Sequence, residues 1–438
     1  MRPFSILLIH TQHAIQRIGT GVYRKHLRYA PLTMPTLAAL VPADLPATIR
    51  VVDEMVEEVP LDATPDLVGL TAITSASTRA YELAAHFKAR GATVVMGGIH
   101  ASLLPDEALE HVDAVVRGLA ERSWPRLLRD YCAGTLQRVY EESPADPPVT
   151  IAVPDRRQIK RERYIANNTV EMSRGCTKRC DFCVTHELHA DYLTKDVDQT
   201  LAEIRSFRGP LSGKLITFLD PNVIGNVPFA RRFFTALTRL RKWWVGCVSI
   251  DLLRHEGLLD LLVASGAKGF LIGFESLDQQ ALDSVNKSFS VTEEYLAAIE
   301  LFHRRGVMVQ GSFVFGFDSD TPETFDKTVD FIIRAKIELP QFTIFTPFPG
   351  TAAFRRLDAA GRILHRDWSL YNGHNVVFQP QQLTPQQLQD GVRAVWERTY
   401  SLPNIVRRLA GPPYLPKIPA LLSNLNFRRF MRRVHAGR

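Results

Sequence analysis

The chain has 438 residues, 45% of them hydrophobic and 23% charged, with five cysteines and a net charge of +7. That length leaves room for two or three domains, and no apolar run approaches the 18 residues of a membrane span; with too few cysteines for a disulfide framework and no cleavable leader pattern, a reducing cytoplasm is expected. The charge does not predict nucleic-acid binding: from Arg398 onward there are nine Lys/Arg and no Asp/Glu, which leaves the preceding 397 residues at 7 minus 9, or −2, so the basic signal belongs to a tail.

The first 135 residues alternate short apolar runs with helical stretches. Strands are expected at Ile6–Ile9, Ile49–Val52, Leu67–Thr71, Thr93–Met96 and Ala114–Val116. Leu37–Leu40 falls in a helix after Pro35. Arg79 to Arg90 forms another, with Tyr81, Leu83, Ala84 and Phe87 on its apolar face and Gly91 as its stop. Alternation at this pitch predicts a doubly wound, Rossmann-like parallel sheet over residues 1–142. Ligands of such sheets bind beyond the carboxyl ends of the strands. Gly97-Gly98-Ile99-His100 and Gly118-Leu119-Ala120-Glu121 fall at those ends.

This half resembles the cobalamin-binding domain that precedes many radical S-adenosylmethionine (SAM) domains. The resemblance rests on the strand order, the Pro35 helix, Thr71 with Ser75, and Gly97-Gly98-x-His100 followed by Pro105-Asp106-Glu107. It implies cobalamin contacts from Thr71, Ser75, Gly97, Gly98, His100, Gly118 and Glu121. Other cobalamin domains carry D-x-H-x-x-G after the first strand, whose His ligates cobalt; here the loop reads His10-Thr11-Gln12-His13-Ala14. The lower cobalt face is then empty or bound by another group, and a flavodoxin-like domain without cobalamin is the alternative.

Residues 143–163 are rich in proline and charge (Pro144, Pro147, Pro148, Pro154, Arg156-Arg157, Lys160-Arg161) and read as a linker. Six strand–helix units follow within 164–360. Their strands are expected at Val170–Ser173, Leu215–Leu219, Val245–Ile250, Gly269–Phe274, Val309–Phe315 and Phe342–Phe345. Helices fill the gaps at Val197–Phe207, Phe229–Lys242, Gly257–Ser265, Thr292–Arg305 and Glu323–Ala335. This is a partial β/α barrel of the TIM type, whose active sites sit at the C-terminal strand ends.

The loop after the first of these strands holds Cys176, Cys180 and Cys183, spaced C-x3-C-x2-C. Thiolates are the preferred ligands of iron–sulfur clusters. Three on one loop can hold three irons of a 4Fe–4S cubane and leave the fourth open. A zinc site from Cys180, Cys183 and His186 is the alternative. The spacing and the Phe182-Cys183 pair resemble the signature of the radical SAM superfamily, in which the open iron chelates the methionine moiety of SAM.

Further elements support that resemblance: Gly273-Phe274-Glu275-Ser276 at the fourth strand end, Gly311-Ser312 in the fifth strand, and Thr346-Pro347-Phe348-Pro349-Gly350-Thr351 after the sixth. Phe218-Leu219-Asp220-Pro221-Asn222 matches F-x-D-D-N except at Pro221. The resemblance implies SAM contacts from Phe182, Asp220, Asn222, Gly273, Glu275, Ser276, Gly311, Ser312 and Thr346. Gly311 also reads as a bulge, and Cys247 as a barrel-lining thiol or a buried small hydrophobe.

Together the two resemblances imply a cobalamin-dependent radical SAM enzyme that methylates an unactivated carbon. The 4Fe–4S cluster would cleave SAM to a 5′-deoxyadenosyl radical, and cobalamin would carry the methyl group. Radical cyclisation or rearrangement without methyl transfer, a tRNA-modifying enzyme and a cobalamin sensor are the alternatives. The implied partners are a small-molecule or lipid substrate and a reductant such as flavodoxin or ferredoxin, with no nucleic acid.

Residues 361–438 form a C-terminal extension. Tyr371 and His374 sit in a segment that reads equally as substrate lid or packing. From Ala420 to Val434 a helix is expected, with Phe427, Phe430, Met431 and Val434 on one seam and Arg428, Arg429, Arg432 and Arg433 away from it. Such a helix suits the surface of an anionic membrane, or packs its seam on the barrel and leaves the arginines in water.

Overall fold

The computed structural model describes residues 2–11, 29–143, 149–188, 192–209, 213–413 and 417–436, with side chains described as far as 429. Within them the chain forms two compact units. The first takes Met1–Thr169, Val184–Lys195 and Asp367–Asn372; the second takes Val170–Cys183, Asp196–Arg366 and Gly373–Arg438.

In the first unit six strands make one sheet: β1 (Phe4–His10), β2 (Ala47–Asp53), β3 (Leu67–Thr71), β4 (Thr93–Gly97), β5 (Ala114–Arg117) and β6 (Val139–Glu141), in the order β2-β1-β3-β4-β5-β6. All neighbours pair in parallel. The helices are α1 (Thr33–Ala39), α2 (Ser77–Lys88), α3 (Ile99–Leu103), α4 (Pro105–His111) and α5 (Ser123–Ala133). A parallel sheet needs cover on both faces, so its strands read as continuous apolar runs. Leu7 and Ile9 of β1 pack with Leu83, Ala84 and Phe87 of α2 on one face. Ile6 and Leu8 pack with Trp124, Leu127 and Leu128 of α5 on the other. Strand order reverses beside β1, the topology that opens a ligand crevice at the carboxyl ends.

The sixth strand has no counterpart in the sequence reading. It is three residues long, with only Tyr140 buried, too short to show a period. Residues 149–163, read as linker, belong to the first unit. The Asp155 N–H donates to Pro35 O (2.9 Å), and the Tyr164 hydroxyl donates to Asp53 (2.8 Å). Pro144, Pro147 and Pro148 lie outside the described residues.

The second unit has six strands in chain order across its sheet: β7 (Thr169–Val170), β8 (Leu215–Phe218), β9 (Trp243–Cys247), β10 (Ala267–Glu275), β11 (Met308–Phe315) and β12 (Gln341–Ile344). Between them run α6 (Val197–Arg205), α7 (Val227–Thr238), α8 (Leu258–Ala264), α9 (Gln279–Asp283), α10 (Tyr295–Arg304) and α11 (Pro322–Arg334). Local chemistry sets the helix starts. Asp196 accepts the Gln199 N–H, Asn226 accepts that of Phe229, and Thr321 closes a capping box before Pro322. One sheet face is dry: Phe218, Phe270, Phe274, Phe313 and Phe342 are buried with Phe233, Phe234 and Trp244 in one aromatic-rich core. The opposite face, through Cys247, Leu271, Gly273, Glu275, Gln310, Ser312 and Val314, is half-buried.

Four further helices follow: α12 (Ala352–Ala359), α13 (Pro385–Thr399), α14 (Leu402–Leu409) and α15 (Lys417–Ala436). Of the sequence seam on α15 only Phe427 has a described side chain, and it packs toward Trp396 and Tyr400 (6.1 and 5.7 Å between centroids). The buried Arg408 donates to the carbonyls of Ile337, Glu338 and Thr399 and to Asn424 of α15 (2.7 Å).

Candidate active site

The cysteine loop leaves β7 under the control of one carboxylate. Asp220, fully buried, accepts from the Met172 and Ser173 N–H groups and the Ser173 hydroxyl (3.2, 2.5 and 2.6 Å). Burial pushes its pKa up to about 7, against those hydrogen bonds. Downstream, the Asp181 N–H donates to Val285 O, the Ala353 N–H to Asp181 O (both 3.0 Å), and Asn286 Nδ2 to Arg179 O (2.7 Å). Arg356 pairs with the Asp181 carboxylate at 3.0 Å, and Phe182 meets Phe345 edge to face at 6.0 Å. The loop is therefore fastened from three separate elements. The Lys178 N–H donates to Cys176 Sγ at 3.4 Å. Burial raises the Cys176 thiol, and it pushes Cys180 up to about 11 against the nearby Lys287 ammonium.

Glu275 closes β10 with φ of +60°, where the register shifts by one residue just after the Gly273–Ser312 pair. Its Oε1 accepts from Lys287 Nζ at 2.9 Å, and both side chains are about nine-tenths buried (10% and 11% exposed). Burial alone would lower the Lys287 pKa, but the Glu275 carboxylate outweighs it and holds the lysine above its ordinary value. Gly273 permits this arrangement, since a Cβ there would stand 2.2 Å from Glu275 Oε1. Asn222 bonds Ser249 Oγ at 2.9 Å, the Ser276 hydroxyl accepts the Asp278 N–H at 3.0 Å, and the Thr346 hydroxyl donates to Ile344 O at 2.9 Å. Gly311 sits in regular register, and a Cβ on it would meet Phe274 and Ile337 at 3.2 Å, so its smallness serves side-chain packing. Burial pushes Cys247 up to about 12. His374 offers its carbonyl to Gln389 (2.9 Å).

At the carboxyl ends of the first unit's sheet, the side-chain hydroxyls of Thr74, Ser75 and Ser77 are buried without a hydrogen-bond partner. Gly98 has φ of +89°, and a Cβ on it would stand 2.3 Å from Thr71 Oγ1. The Gly118 N–H donates to Ser102 Oγ at 2.9 Å, Gly97 lies close against Val116, and Glu121 is buried. His100, also buried, has Nε2 at 2.8 Å from the Tyr81 hydroxyl and 3.2 Å from Glu107. Trp368 Nε1 donates to both Glu107 oxygens (3.0 and 2.9 Å). Burial would raise Glu107, but the hydrogen bonds from His100 and Trp368 hold it below the usual carboxylate range. Tyr371 is fully buried beside Trp368. His13 lies outside the described residues.

Lys287 and Trp368 escaped the sequence reading. Lys287 lies twelve residues beyond its partner on a separate turn, and Trp368 lies 261 residues from Glu107. No periodic or spaced pattern connects such pairs.

The radical SAM superfamily model matches residues 170–332, and the B12 binding domain model matches 37–128. Over 355 residues the chain is 30% identical to the bacteriochlorophyllide d C-12(1)-methyltransferase of Chlorobaculum tepidum, covering 80% of this chain and 77% of that protein. The chain belongs to the cobalamin-binding radical SAM enzymes. It is also 30% identical over 402 residues to the bacteriochlorophyllide d C-8(2)-methyltransferase of the same organism, covering 87% of this chain and 88% of that one. The radical SAM methyltransferase TsrM from Kitasatospora setae, solved with cobalamin and a [4Fe-4S] cluster, shares the fold with a TM-score of 0.69, 16% identity and full coverage of both chains.

The residues present fit the cofactors of this radical SAM enzyme. Three thiols on one braced loop match a cluster held by three cysteines. His186, which a zinc site would need, has Nε2 at 3.1 Å from Glu187. The three partnerless hydroxyls and the Gly98 cradle suit a large ligand with many polar groups, which cobalamin is.

Proposed function

We propose that this enzyme transfers a methyl group to an unactivated carbon of a small-molecule or lipid substrate. The observation that carries the reading is that one chain holds both a braced three-thiol loop and a hydroxyl-lined strand-end cradle. When bound, the cluster and SAM supply the radical that opens a C–H bond, and cobalamin supplies the methyl group. Cys176, Cys180 and Cys183 would hold the cluster. Asp220 fixes the Met172–Ser173 backbone, and so the angle at which the cysteine loop leaves β7. Glu275 and Lys287 present a polar but net-neutral surface at the end of β10, suited to the zwitterionic methionine part of SAM. Ser312 and Gly273 lie side by side across the adjoining strands. Thr71, Ser75, Gly97, Gly98, His100, Gly118 and Glu121 would hold cobalamin, with Thr74 and Ser77 adding hydroxyls that the sequence reading left out.

A flavodoxin or ferredoxin is the class of reductant the cluster requires. A lipid substrate would be met at a membrane surface. The test is mass spectrometry of small molecules and lipids from producing and deletion strains. A product one CH2 heavier than its precursor, absent from the deletion strain, supports methyl transfer. A product that differs only by lost hydrogens points to ring closure and removes it.

A further inference from the structure

Among the described residues the C-terminal helices carry an exposed apolar face. Ala420, Asn424 and Phe427 recur along one side of α15 and face inward: Ala420 and Asn424 are buried and Phe427 packs against the core. The other side carries Ile418, Leu421 and Leu422, which are 74%, 42% and 59% exposed. Leu425 and Arg429 continue the Ile418–Leu422 stripe at helical spacing, with Arg428 beside it. On α14, which packs with α15, Leu402 and Val406 sit at i and i+4 and are 51% and 67% exposed. Exposed large apolar side chains scattered singly need no explanation, but a cluster does.

The charge around this face has one sign. No Asp or Glu occurs from Arg398 onward. Arg408 is buried, Lys417 caps the carbonyls of Leu409 and Gly411, and Arg398 pairs with Asp326 and Asp330 of α11. Arg407, Arg428 and Arg429 make no ion pair among the described residues, and Arg407 and Arg429 are exposed. A second copy of the chain would set these arginines against their own kind. An anionic bilayer would pair them and bury the leucines together.

We propose that the outward face of α14 and α15, through Leu402, Val406, Ile418, Leu421 and Leu422 with Arg407, Arg428 and Arg429 beside them, docks on an anionic lipid bilayer. It is an interfacial surface, since no described helix is long and apolar enough to cross a membrane. The proposal stands apart from methyl transfer: membrane binding is read without cofactors or turnover.

The test is co-sedimentation of the full chain with vesicles of phosphatidylcholine alone and of phosphatidylcholine with phosphatidylglycerol. Two variants, Ile418→Asn/Leu422→Asn and Arg428→Gln/Arg429→Gln, change exposed or half-exposed positions, and circular dichroism checks that both remain folded. The wild-type chain is expected to pellet with the anionic vesicles at low salt and to be released at high salt. Each variant is expected to bind at least about tenfold more weakly. Equal recovery of the wild-type chain in both supernatants overturns the proposal, as does undiminished binding of the Ile418→Asn/Leu422→Asn variant. A concentration-dependent dimer lost in that variant, without vesicle binding, assigns the face to self-association and also overturns it.

Discussion

Asp220→Asn tests the brace under the cysteine loop. The substitution keeps the side chain's shape and one carbonyl oxygen for the Ser173 N–H and hydroxyl, while removing a fully buried ionisable group. An open-chain Asp has a pKa of 3.8, and burial pushes that of Asp220 up to about 7 in this fold. Below the lower value both states hold the proton and the group contributes no pH dependence. Between the two values the unfolded chain loses its proton while the fold keeps it, so stability falls as the pH rises. At about 1.4 kcal/mol per pH unit, the loss approaches about 4 kcal/mol at neutral pH. Asparagine has no such loss. Less-fitted hydrogen bonds cost the variant on the order of 1 kcal/mol at every pH. Urea unfolding of the metal-free full chain at pH 5, 6, 7 and 8 should therefore show the variant gaining on the wild type by roughly 2 kcal/mol from pH 5 to 7, then levelling off above the folded-state pKa. Curves parallel throughout would refute the account of Asp220 as a carboxyl held protonated by burial.

Three further outcomes follow from the site. Anaerobic reconstitution should give close to four irons per wild-type chain, and Cys183→Ala should leave iron near background by chemical analysis and Mössbauer spectroscopy. Gly98→Trp should abolish retained corrin absorbance, because even a Cβ stands 2.3 Å from Thr71 Oγ1, while the cysteine loop still takes up iron. Lys287→Met strands the Glu275 carboxylate and should destabilise the fold by about 3–5 kcal/mol; the double change Lys287→Met/Glu275→Leu should recover most of it in the same urea assay.

The strands were legible because burial on both faces leaves a continuous apolar run and burial on one face leaves a period of two in the sequence. Ile6–Ile9, Leu67–Thr71 and Val309–Phe315 all fall within observed strands. The family was legible because C-x3-C-x2-C is a local pattern. Roles that depend on where a side chain turns were less so. Asp220 was marked by its place in a motif, yet its oxygens are engaged by Met172 and Ser173, 48 and 47 residues away. On α15 the spacing of Phe427, Phe430, Met431 and Val434 is real. Spacing alone does not say which side of a helix meets the core; of that stripe only Phe427 has a described side chain, and the buried Ala420 and Asn424 lie on the same side as it. The helices Ala352–Ala359, Pro385–Thr399 and Leu402–Leu409 went unread as well.

The first unit also shows why a boundary at residue 142 understates its extent. Its carboxyl-terminal sheet edge is completed by Asp367–Asn372, which returns from far along the chain. Trp368 gives its indole N–H to Glu107, whose carboxylate also meets His100 and Tyr81. His111 stacks on Tyr81 at 3.8 Å. Without Trp368 the partly buried Glu107 carboxylate loses a donor that helps keep it charged, and His100 loses the aromatic neighbour 6.3 Å away. The same edge carries Thr74, Ser75 and Ser77. The end of the sheet proposed to hold cobalamin is thus built from residues on both sides of the barrel sequence, so it is not complete until the chain has been made past Asn372.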